Sequence, residues 1–522
     1  MAAVVTDQFR ILNASNFVDS VVSNANNSYY VFLGLDNPTT VGFGRTTNWD
    51  SNIPSPTDNL QYSGHYKNTA LFGKKITSSN IRRLIRKVTW TSNTSYDMYR
   101  HDYSISNATP NSNSSRLYDS NYYVINSDYR VYICIDNGSS GTNLKGSKSQ
   151  DEPVFTDLEP SAAGVSGDGY VWKYLFSVSP SDIIKFDSTE YVVVPNDWAT
   201  STDSQIVSIR EAGNSDVNFN QIKKVYIEYG GANYKPGTFN VDIVGDGSGG
   251  KVSVTTSGNS IISAVVTSGG SGYTWAVVDL GRLQPDGSQG LSNPAKLIPI
   301  IPPSKGHGYD IYSELGTDKV LVYARFDDST KDFPTDTKFA QVGIIKNPTT
   351  FTSNTIVFTE NQYSSLYAIK LPSSFSGTPV IGEEIEQTRA DGNIARGYVA
   401  SYDSETKVLK YFRDRSLYFN NATNETDYRG IGKDSNVYDF QSNGQNIVSV
   451  NGTFTSSIDT SLTNTNKITI GSKVIDLGVT FTNGLANPEI NKKTGDIIYI
   501  DNRPLVERDI RQKEDVKIIL EF

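Results

Sequence analysis

GDIIYIDNRPLVERDIRQKEDVKIILEF, running from Gly495 to Phe522, is the stretch that decides the fold class. Its last eight residues alternate. Val516, Ile518, Leu520 and Phe522 fall on one face, Lys517, Ile519 and Glu521 on the other. Successive side chains of a β-strand point to opposite faces, so this is a strand with one buried face, expected to fix the chain end in a sheet. Upstream, Ile497 to Ile500 is a second apolar run. Asp501, Asn502 and Pro504 are expected to close it, because proline has no N–H for a central ladder.

The same pattern recurs towards the N-terminus. Gly167-Asp168-Gly169 marks a turn before an aromatic strand, Tyr170 to Val178, and Tyr191 to Val194 is another, ended by Pro195. Tyr29 to Leu35 and the VYICID run around Cys134 also read as strands. Val320 to Phe326 and Phe339 to Ile345 form an expected strand pair. Two helices are expected. One spans Val5 to Val22, capped by Thr6 or Asp7, with Phe9, Leu12, Phe17 and Val21 as its apolar stripe. The other spans Ser79 to Val88, with Ile81, Leu84, Ile85 and Val88 on its apolar side. The fold class is therefore mainly β: a β-rich, multidomain α+β chain of antiparallel sheets with a few short helices and small β-sandwich or barrel modules.

Composition shifts after Trp198, and an internal repeat follows. IKKVYIEYGGANYK (222–235) aligns with IISAVVTSGGSGYT (261–274) at a spacing of 39, so that Gly230-Gly231 lies over Gly269-Gly270 and Tyr234 over Tyr273. Two units are too few for a long solenoid, so a compact pseudo-symmetric sandwich or small barrel is expected. Ile381 to Tyr411 gives three more short strands, with Ile385, Ala395, Tyr398, Ala400, Val408 and Leu409 as apolar positions and turns at 390–393 and 403–406. Residues 413–466 carry no readable pattern.

The bulk properties narrow the function. The chain has 522 residues, long enough for several cores, with Tyr 31 and Phe 22 against Met 2 and His 3. With abundant Asn, Ser, Thr and Gly, that profile fits an extracellular or virion-type β protein better than a helical enzyme. No apolar run approaches the ~20 residues of a membrane helix, and the first residues lack the charge and apolar core of a secretory signal. A net charge of −9 opposes a nucleic-acid-coating role. Locally, Lys74, Lys75, Arg82, Arg83, Arg86 and Lys87 cluster, as a solvated face or as a docking patch for an acidic partner.

Catalytic chemistry has little to build on. His65, His101 and His307 are scattered, and none has a second ligand at metal spacing. The turns at Asp246 and Asp286 lack calcium-loop spacing. Cys134, the one cysteine, sits in a strand as a buried thiol. The glycine runs at 245–250 and 268–272 have no following Gly-Lys-Ser/Thr to grip phosphate. Asp168 has a turn role. Glu383, Glu384 and Glu386 are the carboxylates to weigh for glycoside cleavage, against a plain strand face. No catalytic, cofactor-binding or metal residue is assigned, and the chain is read as a non-enzyme.

QFR near the start, GR..NW....P.PTD (44–58), VYICID, GDGYVWKYLF, EYVVVP, GIIKNP (343–348) and GDIIYIDNRP occur in an order that resembles the baseplate wedge protein of T-even-type contractile-tailed phages, the product of gene eight. The resemblance covers roughly residues 4–205, 317–350 and 488–522. It implies a virion protein of the tail baseplate, assembled in the host cytoplasm. It also implies a homodimer that contacts other wedge proteins, needs no cofactor, nucleic acid or membrane, and relays the rearrangement that triggers sheath contraction. The blocks without a counterpart look like insertions. The expected domains are then a main body of 1–205, 303–352 and 486–522, a β-repeat module at 206–302 and a second β module at 353–485. The alternative is a glycan- or receptor-binding tail module, with any sugar contact made by the inserted blocks.

Overall fold

The computed structural model describes residues 4–23, 26–35, 51, 53–214, 219–283, 293–327, 338–413, 418–420, 425–427, 438–507 and 512–522. Most of the GR..NW motif and Asp286 lie outside them. Strand makes up 42% and helix 12%, which bears out a mainly β chain of antiparallel sheets with few short helices. Two compact units are present, both discontinuous in sequence. One comprises Met1–Val18, Arg82–Leu321 and Ile519–Phe522; the other comprises Asp19–Ile81 and Val322–Ile518.

The first unit is built on an aromatic core. Tyr123–Ile125, Arg130–Asn137, Tyr170–Ser177 and Ser161–Ala162 form one antiparallel sheet in that order. Val131 through Ile135 are buried without alternation, as in a strand covered on both faces. Trp172 stacks on Tyr170 with ring centroids 5.4 Å apart and meets Tyr96 edge-on at 5.8 Å. Such pairs each add about 0.5–1.5 kcal/mol beyond area burial.

The repeat lies in one ribbon and one sheet, and its second Gly-Gly pair, Gly269-Gly270, falls inside the strand Ser260–Ser271. Val225–Tyr229 pairs with Lys296–Pro299 in a two-stranded ribbon, and Ser260–Ser271, Ser248–Ser257, Gly237–Gly245 and Ala276–Val278 form a four-stranded sheet. The ribbon is a wall with two buried faces. Val225, Ile227 and Leu297 enter the module's own core, while Tyr226 and Ile300 enter the aromatic core. The period of two along the strand is what lets one ribbon serve both.

The second unit has a five-stranded sheet in the order Gln362–Ser364, Ala70–Lys75, Tyr29–Gly34, Lys338–Lys346 and Asp496–Glu507. Gly73 is required there, because a Cβ would stand 2.2 Å from the Tyr363 ring. That ring meets Tyr30 at 5.2 Å and Phe358 at 6.1 Å. A seven-stranded sheet holds the three strands expected between 381 and 411, now Glu384–Thr388, Ile394–Asp403 and Val408–Phe412. All six apolar positions named for them are buried.

Several expectations are corrected. Ser79 to Val88 is not a helix: Ser78–Asn80 is a 3₁₀ turn and Ile81–Arg86 a strand, pairing Arg83 with Val194 and Ile85 with Val192. An apolar run this short fits either period, and strand pairing decides it. The N-terminal helix, Asp7–Val22, is capped by Thr6, whose hydroxyl accepts from Phe9 N–H at 3.3 Å. It buries Ile11, Ala14 and Val18, however, and leaves Phe9 and Leu12 each 53% exposed. Both stripes have helical spacing, so the sequence alone did not choose between them. The strand begun at Ile497 runs on to Glu507 through Pro504. It lies at the sheet edge with a register shift opposite Phe339–Gln341, and proline is tolerated at edges and bulges. Lys319–Phe326 and Lys338–Lys346 do not pair. The first lies beside Glu514–Glu521, the second between Tyr29–Gly34 and Asp496–Glu507. In Glu514–Glu521 the alternation holds, with Glu514 and Ile518 buried, Val516 and Leu520 half-buried, and the intervening residues exposed.

Candidate interaction surfaces

The residues singled out for chemistry are engaged structurally. Cys134 is fully buried, and desolvation pushes its thiol well above the usual range, away from the reactive thiolate. His101 Nδ1 accepts from Ile301 N–H at 3.2 Å, and burial lowers its pKa. His307 Nδ1 lies 2.5 Å from Glu314 Oε1, and Glu314 Oε2 accepts from Gly308 N–H at 2.7 Å. His101 thus holds a backbone amide distant in sequence and His307 a carboxylate, and the His65 side chain lies outside the described residues. Asp168 has the turn role expected, accepting from Tyr170 N–H at 2.9 Å and Gln150 N–H at 2.8 Å. Among the described residues, no group of three or more His, Cys, Asp or Glu side chains could hold a metal ion.

The basic cluster is divided among internal partners. Arg82 pairs with Asp182 at 2.8 Å, Lys87 with Asp187 at 2.9 Å, and Arg86 donates to Ser120 O at 2.7 Å. Arg83 is buried, with its guanidinium 4.2 Å from the Tyr312 ring centroid. Lys74 donates to Gln362 Oε1 at 2.9 Å and Lys75 to Thr359 O at 2.6 Å. Arg82, Arg83, Arg86 and Lys87 belong to the first unit, Lys74 and Lys75 to the second.

The carboxylates raised for glycoside cleavage are also occupied. Glu383 is buried and accepts from Val380 N–H, Ser449 Oγ and Thr453 Oγ1 at 2.5–2.7 Å. Glu384 and Glu386 share a face, as read, and both address Arg396, at 3.8 and 2.7 Å. Each of these carboxylates is thus engaged by an internal partner.

The repeat carries a pseudo-two-fold device. Ile222 N–H donates to Gly269 O at 3.0 Å, and Ile261 N–H donates to Gly230 O at 2.8 Å. Each bond is the other's image under the 39-residue shift. A Cβ on Gly230 would lie 2.5 Å from Ile261 O, and one on Gly269 would lie 2.5 Å from Ile222 O. Gly231 and Gly270 both take positive φ, and each presses against its own unit's tyrosine. Tyr234 and Tyr273 are both buried. They are packing residues, not a sugar platform.

Two kinds of surface were not legible in sequence. Trp275 is 56% exposed beside Val277 and Val244, which are paired across two strands. In the second unit, a cleft of about 370 Å³ is lined by Arg413, Asp439, Pro488 and residues 490–493, with Phe351 and Tyr367 at its apolar side. Its parts lie far apart in the chain, so no local motif announces it. No helix among the described residues is long and apolar enough to cross a membrane.

No family model matches the chain. Over 221 residues, 37% of the chain, it is 26% identical to baseplate wedge protein gp8 of Enterobacteria phage T4, and the match spans 60% of that protein's length. This is a distant likeness to a structural baseplate protein, over less of the chain than the motif order covers.

Proposed function

We propose that this chain is a structural subunit of a phage tail baseplate wedge, working through protein contacts and without enzymatic activity. The likeness to gp8 carries the reading. The engaged state of Cys134, His101, His307 and Glu383 is consistent with it, since a side chain held by internal bonds is poorly placed to react. In this reading the subunit pairs with a second copy, as closed two-fold symmetry commonly provides. It contacts other wedge proteins and passes on the rearrangement that starts sheath contraction. The modules at 206–302 and 353–485 are insertions into the main body. The burial of Tyr234 and Tyr273 removes their support for a glycan-binding alternative.

The test is a reconstruction of the intact tail by electron cryomicroscopy. Two copies of this chain are expected in each wedge of a sixfold baseplate, touching neighbours non-covalently. Finding it only in the sheath, the tube or a detachable fibre would overturn the reading. Mass measurement of the purified chain is a supporting assay for the dimer.

A further inference from the structure

We propose that Asn451 is the position at which this chain deamidates, and that the reaction releases a hairpin held by Glu383. Asparagine followed by glycine is the pair most prone to this chemistry, because the missing Cβ leaves the glycine nitrogen open to close approach. The chain has four such pairs, at Asn137, Asn443, Asn451 and Asn483. The sequence alone ranks them equally. In the reaction the glycine nitrogen bonds to the asparagine Cγ, its proton passes to the departing side-chain nitrogen, and ammonia leaves. The cyclic imide then takes up a water, which opens it to an aspartyl or an isoaspartyl residue. Ring closure requires the Asn–Gly backbone to turn until the side-chain carbon faces that nitrogen, so a pair held by its surroundings reacts slowly.

Three of the pairs are held. Asn137 is buried; its Nδ2 donates to Tyr96 O at 3.0 Å and its Oδ1 accepts from Ser139 N–H at 3.2 Å. Gly444 lies in a loop clamped by the buried Gln387, which donates to Gln441 O and Gln445 O at 2.9 Å each and accepts from Gln441 N–H at 2.7 Å. A Cβ on Gly444 would lie 2.7 Å from that side-chain amide. Asn483 and Gly484 form a tight turn between Thr482 and Leu485, which exchange bonds at 2.7 and 3.1 Å, and a Cβ on Gly484 would lie 2.3 Å from Asp459 O. Asn451 differs. It and Gly452 are exposed at a hairpin tip, the Asn451 side chain makes no hydrogen bond among the described residues, and a Cβ on Gly452 meets nothing within 4 Å. The restraint on this pair is a turn bond, Gly452 N–H to Ser449 O at 2.9 Å. What flanks the tip sets the consequence. Ile447–Ser449 and Thr455–Ser456 pair at the edge of the seven-stranded sheet. Buried Glu383 Oε2 accepts from Ser449 Oγ at 2.6 Å and from Thr453 Oγ1 at 2.5 Å, a hydroxyl from each side of the Asn451–Gly452 pair. An isoaspartyl link adds a backbone carbon between those hydroxyls and so displaces one of them from the shared oxygen.

The experiment ages the full chain in mildly alkaline buffer and maps its peptides by mass spectrometry, with electron-transfer fragmentation to separate isoaspartate from aspartate. Chain aged in denaturant is the reference, in which the four Asn-Gly pairs should react at similar rates. In the folded chain Asn451 is expected to deamidate several-fold faster than the other three, with isoaspartate among the products. Hydrogen exchange at the Ser449 amide, which donates to Phe454 O at 3.0 Å, is expected to quicken in the aged chain. It should stay unchanged in freshly purified Asn451→Asp, which adds the charge without the extra carbon. Equal rates at Asn451 and at any other pair in the folded chain would overturn the assignment of the site. Unchanged exchange in the aged chain, or equal quickening in Asn451→Asp, would overturn the release of the hairpin.

Discussion

Replacing Gly270 with alanine tests whether the Gly-Gly-Tyr repeat is a packing device. Gly270 has φ 59°, a region that costs a residue with a Cβ about 1–2 kcal/mol. The new methyl group would also stand 2.3 Å from Ser248 O, 2.6 Å from Gly250 N and 2.8 Å from the Tyr273 ring. Two of these atoms are backbone within a paired strand and cannot swing aside. Overpacking of this kind adds about 1–3 kcal/mol, so the total is about 2–5 kcal/mol. Gly258 is the internal control. It lies in the same module with φ 58°, yet a Cβ there meets nothing within 4 Å. Gly258→Ala should therefore cost only the backbone part, about 1–2 kcal/mol. Native-state hydrogen exchange of the Ile222 and Ile261 amides, which donate across the repeat, reads the module's local stability without assuming that the whole chain unfolds in one step. Protection should fall markedly further in Gly270→Ala than in Gly258→Ala. Equal losses would show that the close approach is not what makes glycine necessary, and the packing argument would fail.

Deleting Val516 to Phe522 removes one fully buried side chain, Ile518, worth about 1.5–3 kcal/mol, and three half-buried ones. A lower melting temperature or insoluble protein is expected, and unchanged melting would contradict it. Asp246 accepts from the Thr274 hydroxyl first of all, and then from the Thr274 and Trp275 amides, which lower its pKa from 3.8 to about 2. A depressed carboxylate stabilises the fold above its unfolded pKa, so this contribution should be present above about pH 4 and disappear as the pH falls through about 2. A carboxyl NMR titration should show a midpoint near 2 that moves back towards 3.8 in Thr274→Val; an unmoved midpoint would refute the cause. If 206–302 is an insertion, replacing residues 230–295 by an Asn-Gly turn between Tyr229 and Lys296, which are paired opposite each other, should preserve the aromatic core. Ile227→Thr and Leu297→Thr would keep the newly exposed wall polar, and global unfolding by circular dichroism would count against the scheme.

Local pattern alone determined much of this protein. The alternation of Val516 to Phe522, the aromatic run from Tyr170 and the turns at 390–393 and 403–406 reappear where the sequence placed them, and the 39-residue repeat returns as the matched bonds of Ile222 to Gly269 and Ile261 to Gly230. Each depends on residues near one another in the chain, where side-chain period and turn chemistry dominate. The repeat was legible because two copies of one local solution were present to compare. Tertiary structure decided the rest. Ile81 to Arg86 became a strand because Tyr191–Val194 supplied a partner. The N-terminal helix buried Ile11, Ala14 and Val18 where Phe9 and Leu12 had equal spacing, since the surrounding packing selects the stripe. Pro504 stayed within a strand because that strand lies at an edge. The cleft at Arg413 joins Asn68, Phe351, Tyr367, Arg413, Asp439 and Asn491, and no local period encodes such a meeting. Propensity fixes which shapes a segment can take; long-range pairing and burial choose among them, and only they bring distant side chains to one wall.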